Sequence, residues 1–294
     1  MTTTHPTPAQ WLAGARPRTL PAAVAPVLAG TGVAAHLEAP VWWKAALALV
    51  VALALQVGVN YANDYSDGVR GTDSDRVGPM RLVGSGVAAA GAVKRAAYVA
   101  FGVAAAAGLG LAATTSWWLV ALGAVCILAA WFYTGGKRPY GYLGLGELMV
   151  FVFFGLVAVV GTTYVQIGRL PEPAWYAGTA VGALACAILV ANNLRDIPTD
   201  REAGKRTLAV KLGEERTRGL FALLVLAALV ALAALAVVTS WWAMLGLAGA
   251  PAAARATRTV LGGATGARLV PVLQQTGAAE LLLGVGVFVG LLVG

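Results

Sequence analysis

The chain has 294 residues, 59% of them apolar and 12% charged, with a formal net charge of +8. Soluble domains run near 45–50% apolar and about 25% charged, so the composition excludes a soluble fold and points to an integral membrane protein. The basic residues sit in short loops between apolar runs, which argues against nucleic acid and for topology and anionic ligands as their reason.

A membrane helix needs about 20 mostly apolar residues. By that length the chain offers about nine spans, at roughly 19–37, 43–64, 93–113, 116–134, 145–166, 174–195, 218–238, 240–257 and 274–293. The expectation is an all-α, multi-pass protein with one membrane-embedded domain over residues 1–294. The opening "MTTTHPTPAQ" lacks the parts of a cleaved signal, and residues 1–10 read as a flexible tail. Pro251, Arg255 and Arg258 interrupt the eighth span. With the N-terminus inside, every Lys and Arg of the 21 except Lys44 and Arg169 falls on the cytoplasmic side, a strong positive-inside bias that suits the plasma membrane. The Trp pairs beginning at 42, 117 and 241, and Trp175, open even-numbered spans at the outer face, where indole favours the headgroup level. Ala- and Gly-rich spans such as "FGVAAAAGLGLAA" either permit close helix approach or reflect compositional bias. Cys126 and Cys186 fall inside apolar runs and read as small hydrophobes, with no disulfide or metal role.

All six aspartates lie in two segments, "NYANDYSDGVRGTDSDR" after the second span and "NNLRDIPTDREAGKRT" after the sixth. They are Asp64, Asp67, Asp73 and Asp75, then Asp196 and Asp200. Asn60 to Asp64 and Asp196 to Asp200 are i, i+4, and Asp64 to Asp67 is i, i+3, so each set shares a helix face. Facing carboxylates repel unless cations lie between them. Magnesium suits the set, because it is held by one or two carboxylates with water and substrate phosphate completing its shell. Asn60, Asn63, Asn192 and Asn193 add neutral oxygens. Ordinary polar loops with topogenic charge are the alternative, and two matched helix ends argue against it.

Bases run beside the acids: Arg76 and Arg81, then Lys137 and Arg138 in "YTGGKRPYGYLGLGE", then Arg195, Lys205 and Arg206. Carboxylates that hold a dication, surrounded by such donors, make a socket for a diphosphate, and the glycine-rich stretches let backbone amides approach it. "AGKRT" lacks the glycine spacing and preceding strand of a P-loop. Tyr61, Tyr65, Tyr133, Tyr140 and Tyr142 lie near the same helix ends, as interface anchors or as rings that stabilise a cation. Glu147 either orients a base, takes a proton or is a satisfied buried acid. His5 and His36 fall in the tail and on the outer side, so a general base is a carboxylate, unless the acceptor arrives ionised.

At these residues the sequence resembles the UbiA superfamily of intramembrane prenyltransferases. Its two aspartate signatures appear as Asn63-Asp64-x-x-Asp67 with Asp73 further on, and as Asp196-x-x-x-Asp200. Asp73 comes six rather than four residues after Asp67, which leaves its role open. Within the superfamily, "NDYSDGVRGTDSDRVGPMRLVGSG", "PYGYLGLGE" and "NNLRDIPTDREAGKRTLAVKLG" resemble the branch that prenylates 1,4-dihydroxy-2-naphthoate in menaquinone synthesis. The resemblance implies a helical bundle around a central chamber and two magnesium ions bridging the diphosphate of a polyprenyl donor. It further implies transfer of that chain with loss of the naphthoate carboxylate, giving demethylmenaquinone. By position, Asp64 and Asp67 serve one ion and Asp196 and Asp200 the other, with Asn60 and Asn192 assisting. Arg76, Arg81, Lys137, Arg138, Arg195 and Lys205 take the diphosphate, while Asp73, Arg16, Tyr65, Tyr142 and Glu147 are candidates near the acceptor. Membrane lipids accommodate the long tail.

Other branches that use 4-hydroxybenzoate, homogentisate or haem would share the donor half. An ion-coupled transporter would place its charges near the bilayer midplane, where Glu280 stands almost alone. The single-helix acidic signature of CDP-alcohol phosphotransferases is not found.

Overall fold

The computed structural model describes residues 6–71 and 80–294, and every regular element among them is helical. A capping box, in which Thr7 and Gln10 exchange backbone-to-side-chain hydrogen bonds, starts α1 (Pro8–Gly14). The stretch read as a tail is therefore helical from Pro8. A 3-10 turn, Pro17–Thr19, leads into α2 (Pro21–Leu37), and the two parts are bent by 50°. Helix α3 (Trp42–Arg70) ends at Gly71, whose φ of 71° is the left-handed cap that residues with side chains rarely adopt. Next come α4 (Ala90–Thr114), α5 (Trp118–Phe132), α6 (Gly146–Ile167), α7 (Glu172–Arg195), the short α8 (Ile197–Glu202) and α9 (Leu208–Val238), which is broken at Gly213. A 3-10 segment, Trp241–Gly249, precedes α10 (Ala250–Leu261), and α11 (Val270–Val293) completes the bundle.

Six of these helices are long and apolar enough to cross a bilayer, seven if the bent Pro8–Leu37 pair is one span. The all-α membrane class stands, whereas about nine spans is more than the described residues carry. The excess has two sources. Helix α5 has 15 residues, about 22 Å at 1.5 Å each, short of a hydrocarbon core of about 30 Å. The eighth stretch is split at Gly249, where a Cβ would lie 2.4 Å from the Ala279 carbonyl oxygen.

In lipid, apolar burial gives helices little drive to associate, so packing depends on how closely backbones approach. Helix α7 is central, with 72% of its apolar window buried against 28% for α4. A wide π-helical turn, Phe151–Val157, brings Gly155 of α6 onto α7, where a Cβ would lie 2.6 Å from Gly182 Cα and 2.7 Å from the Gly178 carbonyl. Gly286 and Gly290 of α11 seat against the Leu245 and Trp242 carbonyls in the same way. In the stretch read as permitting close approach or reflecting composition, Gly102 and Gly108 meet nothing within 4 Å, while a Cβ at Gly110 would lie 3.4 Å from the Leu47 side chain of α3.

Lys44 bonds the Thr114 carbonyl and Thr115 hydroxyl, Thr115 bonds the Val165 carbonyl, and Arg169 pairs with Glu38 at 2.9 Å. The two basic residues expected apart from the rest thus share the end of the bundle opposite the aspartates.

Candidate active site

The last turns of α3 carry Asn60, Asn63, Asp64, Asp67 and Arg70, and several segments hold them. Asp64 is fully buried; its Oδ2 accepts the Leu82 amide at 2.8 Å and its Oδ1 the Val83 amide at 3.0 Å. The Asn60 amide donates to the Ala15 carbonyl at 2.9 Å and the Thr19 hydroxyl at 3.0 Å, pinning the N-terminal turn against α3. Arg16 occupies that turn with a left-handed φ of 55°, and its charge acts on Asp64. Asn63 Oδ1 accepts the Thr134 hydroxyl at 2.7 Å, and Arg70 donates to the carbonyls of Thr134 and Gly136.

The second acidic set forms at the break between α7 and α8. Asp196 leaves helical geometry there, and Arg195 clasps it through Nε–Oδ1 at 2.7 Å and Nη2–Oδ2 at 2.8 Å, with a third bond of 2.8 Å to Asn192 Oδ1. Such a two-pronged, charge-assisted pair is strong, and it commits Arg195 to Asp196. One turn on, the Asp200 amide donates to the Asp196 carbonyl at 2.8 Å. Gly204, with φ of 72°, then reverses the chain so that the Lys205 amide meets the Asp200 carbonyl at 2.8 Å and its ammonium stands 3.8 Å from Asp200 Oδ1.

Tyr142 joins the two sets. It sits in the 3-10 turn Tyr140–Leu143 before α6, its carbonyl accepting the Arg206 amide at 2.9 Å. Its hydroxyl donates to Asp67 Oδ1, and its ring lies 4.7 Å beneath the Lys205 ammonium and 5.5 Å from the Arg70 guanidinium. Asp67 of the first motif and Asp200 of the second are thus linked through one phenol and one ammonium. Opposed acidic helix ends, expected from the sequence, are brought together here.

The donors are hard oxygens with a cation already seated among them, which suits magnesium. Among the described residues no group of three or more Asp, Glu, His or Cys side chains is gathered as a metal site. Magnesium usually completes its shell with water and substrate phosphate.

Beneath the acids lies an apolar chamber of about 340 Å³, bounded by α2, α3, α5 and α6 and the C-terminal half of α4. On α3 its lining runs from Ala48 to Asn63, about 22 Å at 1.5 Å per residue. Gln56, Asn60 and Asn63 form its polar end, one turn from Asp64 and Asp67, with Tyr133 and Tyr140 alongside. These two rings meet edge to face at 5.5 Å, and Tyr140 donates to the Ala129 carbonyl at 2.8 Å. Burial pushes the Tyr140 phenol above its ordinary range, keeping it a neutral donor. Helix α5 packs on α3 and α4 but not closely on α6. The α5–α6 seam is closed at the far end by Trp118, which bonds the Tyr164 hydroxyl at 3.1 Å, and at the acidic end by Tyr133 and Tyr140.

Several expected residues are placed elsewhere. Tyr65 stacks on Trp131, under the Lys94 ammonium 5.5 Å from its ring. Glu147 is buried, its Oε1 accepting the Asn193 amide at 2.9 Å. Lys137 and Arg138 are exposed on the loop after α5, and Arg81 is half-buried in the loop that Asp64 clamps. Asp73 and Arg76 lie outside the described residues. Sequence reasoning missed Arg70 and Thr134 and left Tyr133 and Tyr140 among possible anchors. The signal was their position at helix ends flanking the first motif.

The profile of the UbiA prenyltransferase family matches residues 23–268. The chain is 56% identical to a Mycobacterium tuberculosis protein described as 1,4-dihydroxy-2-naphthoate octaprenyltransferase, over 95% of both chains. It is 39% identical to the Escherichia coli protein of the same description, over 92% of this chain and 91% of that one. Its fold matches a UbiA homologue from Aeropyrum pernix with a TM-score of 0.73 at 16% identity, covering 91% of this chain and 97% of that chain. A UbiA homologue from Archaeoglobus fulgidus, solved with GPP and Mg2+, matches with a TM-score of 0.69 at 13% identity over 96% and 99%. By its aspartate pair, its chamber and these likenesses, the chain belongs to the UbiA prenyltransferase family.

Proposed function

We propose that this protein transfers a polyprenyl chain from its diphosphate to 1,4-dihydroxy-2-naphthoate with loss of the carboxylate as CO2, forming demethylmenaquinol, the reduced form of demethylmenaquinone. It does so with two magnesium ions, as a single membrane-embedded unit of the plasma membrane with the acidic end facing the cytoplasm. The observation that carries the reading is the linkage of Asp67 and Asp200 through Tyr142 and Lys205 at the mouth of the apolar chamber. The descriptions of the two curated relatives support the choice of acceptor.

Magnesium bound with the diphosphate supplies the positive charge that a departing dianion or trianion needs in the transition state. Asp67 and Asp200 would hold magnesium, while Asp64 holds the loop at Leu82 and Val83 in place. Asp196 is oriented by Arg195 and Asn192. Lys205 donates to the diphosphate, and Arg76 and Arg81, which follow the first aspartate motif in sequence, are the further donors expected. The first prenyl units occupy the chamber and the rest leaves between α5 and α6 into lipid. When the C–O bond breaks, the electron pair goes with the diphosphate and an allylic cation remains beside Tyr133 and Tyr140, whose faces stabilise it. An apolar lining keeps water from that cation. Arg16, on the turn pinned by Asn60, meets the carboxylate of the acceptor.

The test is a reconstitution with labelled polyprenyl diphosphate and a panel of aromatic acceptors. Prenylated product with dihydroxynaphthoate, abolished by EDTA and restored by Mg2+, is the expected result. Product with 4-hydroxybenzoate alone contradicts the acceptor, and activity that survives EDTA contradicts the metal.

A further inference from the structure

Lys205 is buried, yet its ammonium has modest company. Among the described residues it has the Asp200 carboxylate at 3.8 Å and the Tyr142 ring at 4.7 Å. An ammonium carries three N–H donors, and this one, on a side chain only 7% exposed, stands 3.8 Å from its carboxylate partner, so it has donor capacity to spare. Its position is also unusual. It lies beside Asp200 and over the ring of the phenol that bonds Asp67, so it neighbours one carboxylate directly and the other through the phenol, the two coming from different helical segments. Bringing those carboxylates together without a cation would be unfavourable, and a cation of the chain itself is already there.

This inference rests on the reading that these acids hold a metal-bound diphosphate. A dication arriving alone must enter beside a buried positive charge that has nowhere better to go. A diphosphate changes both terms: it offers the ammonium strong oxygen acceptors and adds the negative charge that offsets a dication. We propose that Lys205, seated on Tyr142, makes divalent-metal binding conditional on diphosphate by holding the cation position between Asp67 and Asp200 until the substrate draws it away. The site then takes up metal and donor together. Tyr142 acts as a positioning residue in this scheme: its ring seats the ammonium, while its hydroxyl orients Asp67.

The test uses the full-length protein in lipid nanodiscs, with Mn2+ as a spin-active probe titrated with and without inorganic pyrophosphate. Wild type is expected to bind Mn2+ weakly alone and at least about tenfold more tightly with pyrophosphate, since charges a few ångströms apart are strongly coupled in a partly desolvated site. Lys205→Gln is expected to bind Mn2+ alone at least about tenfold more tightly than wild type, with most of the pyrophosphate gain lost and prenyl transfer reduced. Tyr142→Ala, which removes the seat, should move Mn2+ affinity in the same direction. Tyr142→Phe, which keeps the ring, should retain the pyrophosphate gain. Should Lys205→Gln fail to fold, judged by its melting curve, the Tyr142 pair decides the matter. The proposal is overturned if Lys205→Gln binds Mn2+ alone no better than wild type, or if Tyr142→Ala and Tyr142→Phe behave alike. A wild type that takes up no Mn2+ even with pyrophosphate overturns the metal reading itself.

Discussion

Replacing Asp64 by alanine separates two roles that the aspartate motif combines. Its carboxylate is fully buried and accepts the Leu82 amide at 2.8 Å and the Val83 amide at 3.0 Å. Without it, two backbone donors lose their acceptor, Leu82 in a site closed to water and Val83 in one partly open. A buried donor left unmade costs about 1–3 kcal/mol, so Asp64→Ala should lose about 2–5 kcal/mol, allowing for water at Val83. That is a large part of the roughly 5–15 kcal/mol by which folded proteins are stable. Asp67→Ala, three residues on, frees a tyrosine hydroxyl that can turn to another partner, and should cost less than Asp64→Ala. Melting curves in detergent, with limited proteolysis of the loop around residues 80–88, compare the two. Asp64→Ala should melt well below Asp67→Ala and be cut faster in that loop. Equal melting, or the reverse order, refutes the division between a loop-holding and a substrate-facing carboxylate.

Gly161 lines the chamber and a Cβ there meets nothing within 4 Å, so Gly161→Leu should fold at least as well as wild type, helped by about 1 kcal/mol of helix propensity. Its turnover with a long-chain donor should fall about tenfold relative to a short-chain donor, and unchanged chain preference would count against the chamber as the prenyl site. Gly155→Val must push the backbone of α6 off Gly182, where a Cβ would stand 2.6 Å from Cα; a cost above about 2 kcal/mol is expected, and a wild-type melting curve would contradict that packing. Glu280 is wholly buried in α11, and neither carboxyl oxygen has a hydrogen-bond partner among the described residues. Glu280→Met should therefore raise stability by about 1–3 kcal/mol, and a lower melting point would show that the carboxyl has a stabilising partner.

The aspartates were legible in the sequence because their chemistry and their i, i+4 spacing are both local. Asp64 and Asp67 look equivalent on that basis, and the loop amides that separate them lie 18 and 19 residues further along. The same limit applies to Tyr142, whose partners come from α3 and from the turn after α8. Arg195 was placed among the diphosphate donors, yet the break at Asp196 folds its guanidinium onto its own neighbour. Spans were overcounted because apolar length does not distinguish a helix of 15 residues, or one that changes character at Gly249, from a full crossing. Glycine was ambiguous for a similar reason. Gly155 lets helices touch, whereas Gly108 and Gly161 leave room for the chamber, and nothing adjacent in sequence tells them apart.

The central claim is that acids from α3 and from the α7–α8 junction serve one substrate group. A double-mutant cycle of Asp67→Asn and Asp200→Asn, read as prenyl-transfer turnover, addresses it most directly. Groups that act as a unit are strongly non-additive, so each single variant should be crippled and the double variant little worse than either. Losses that multiply, or one variant that keeps wild-type turnover, would mean that the two helix ends work separately.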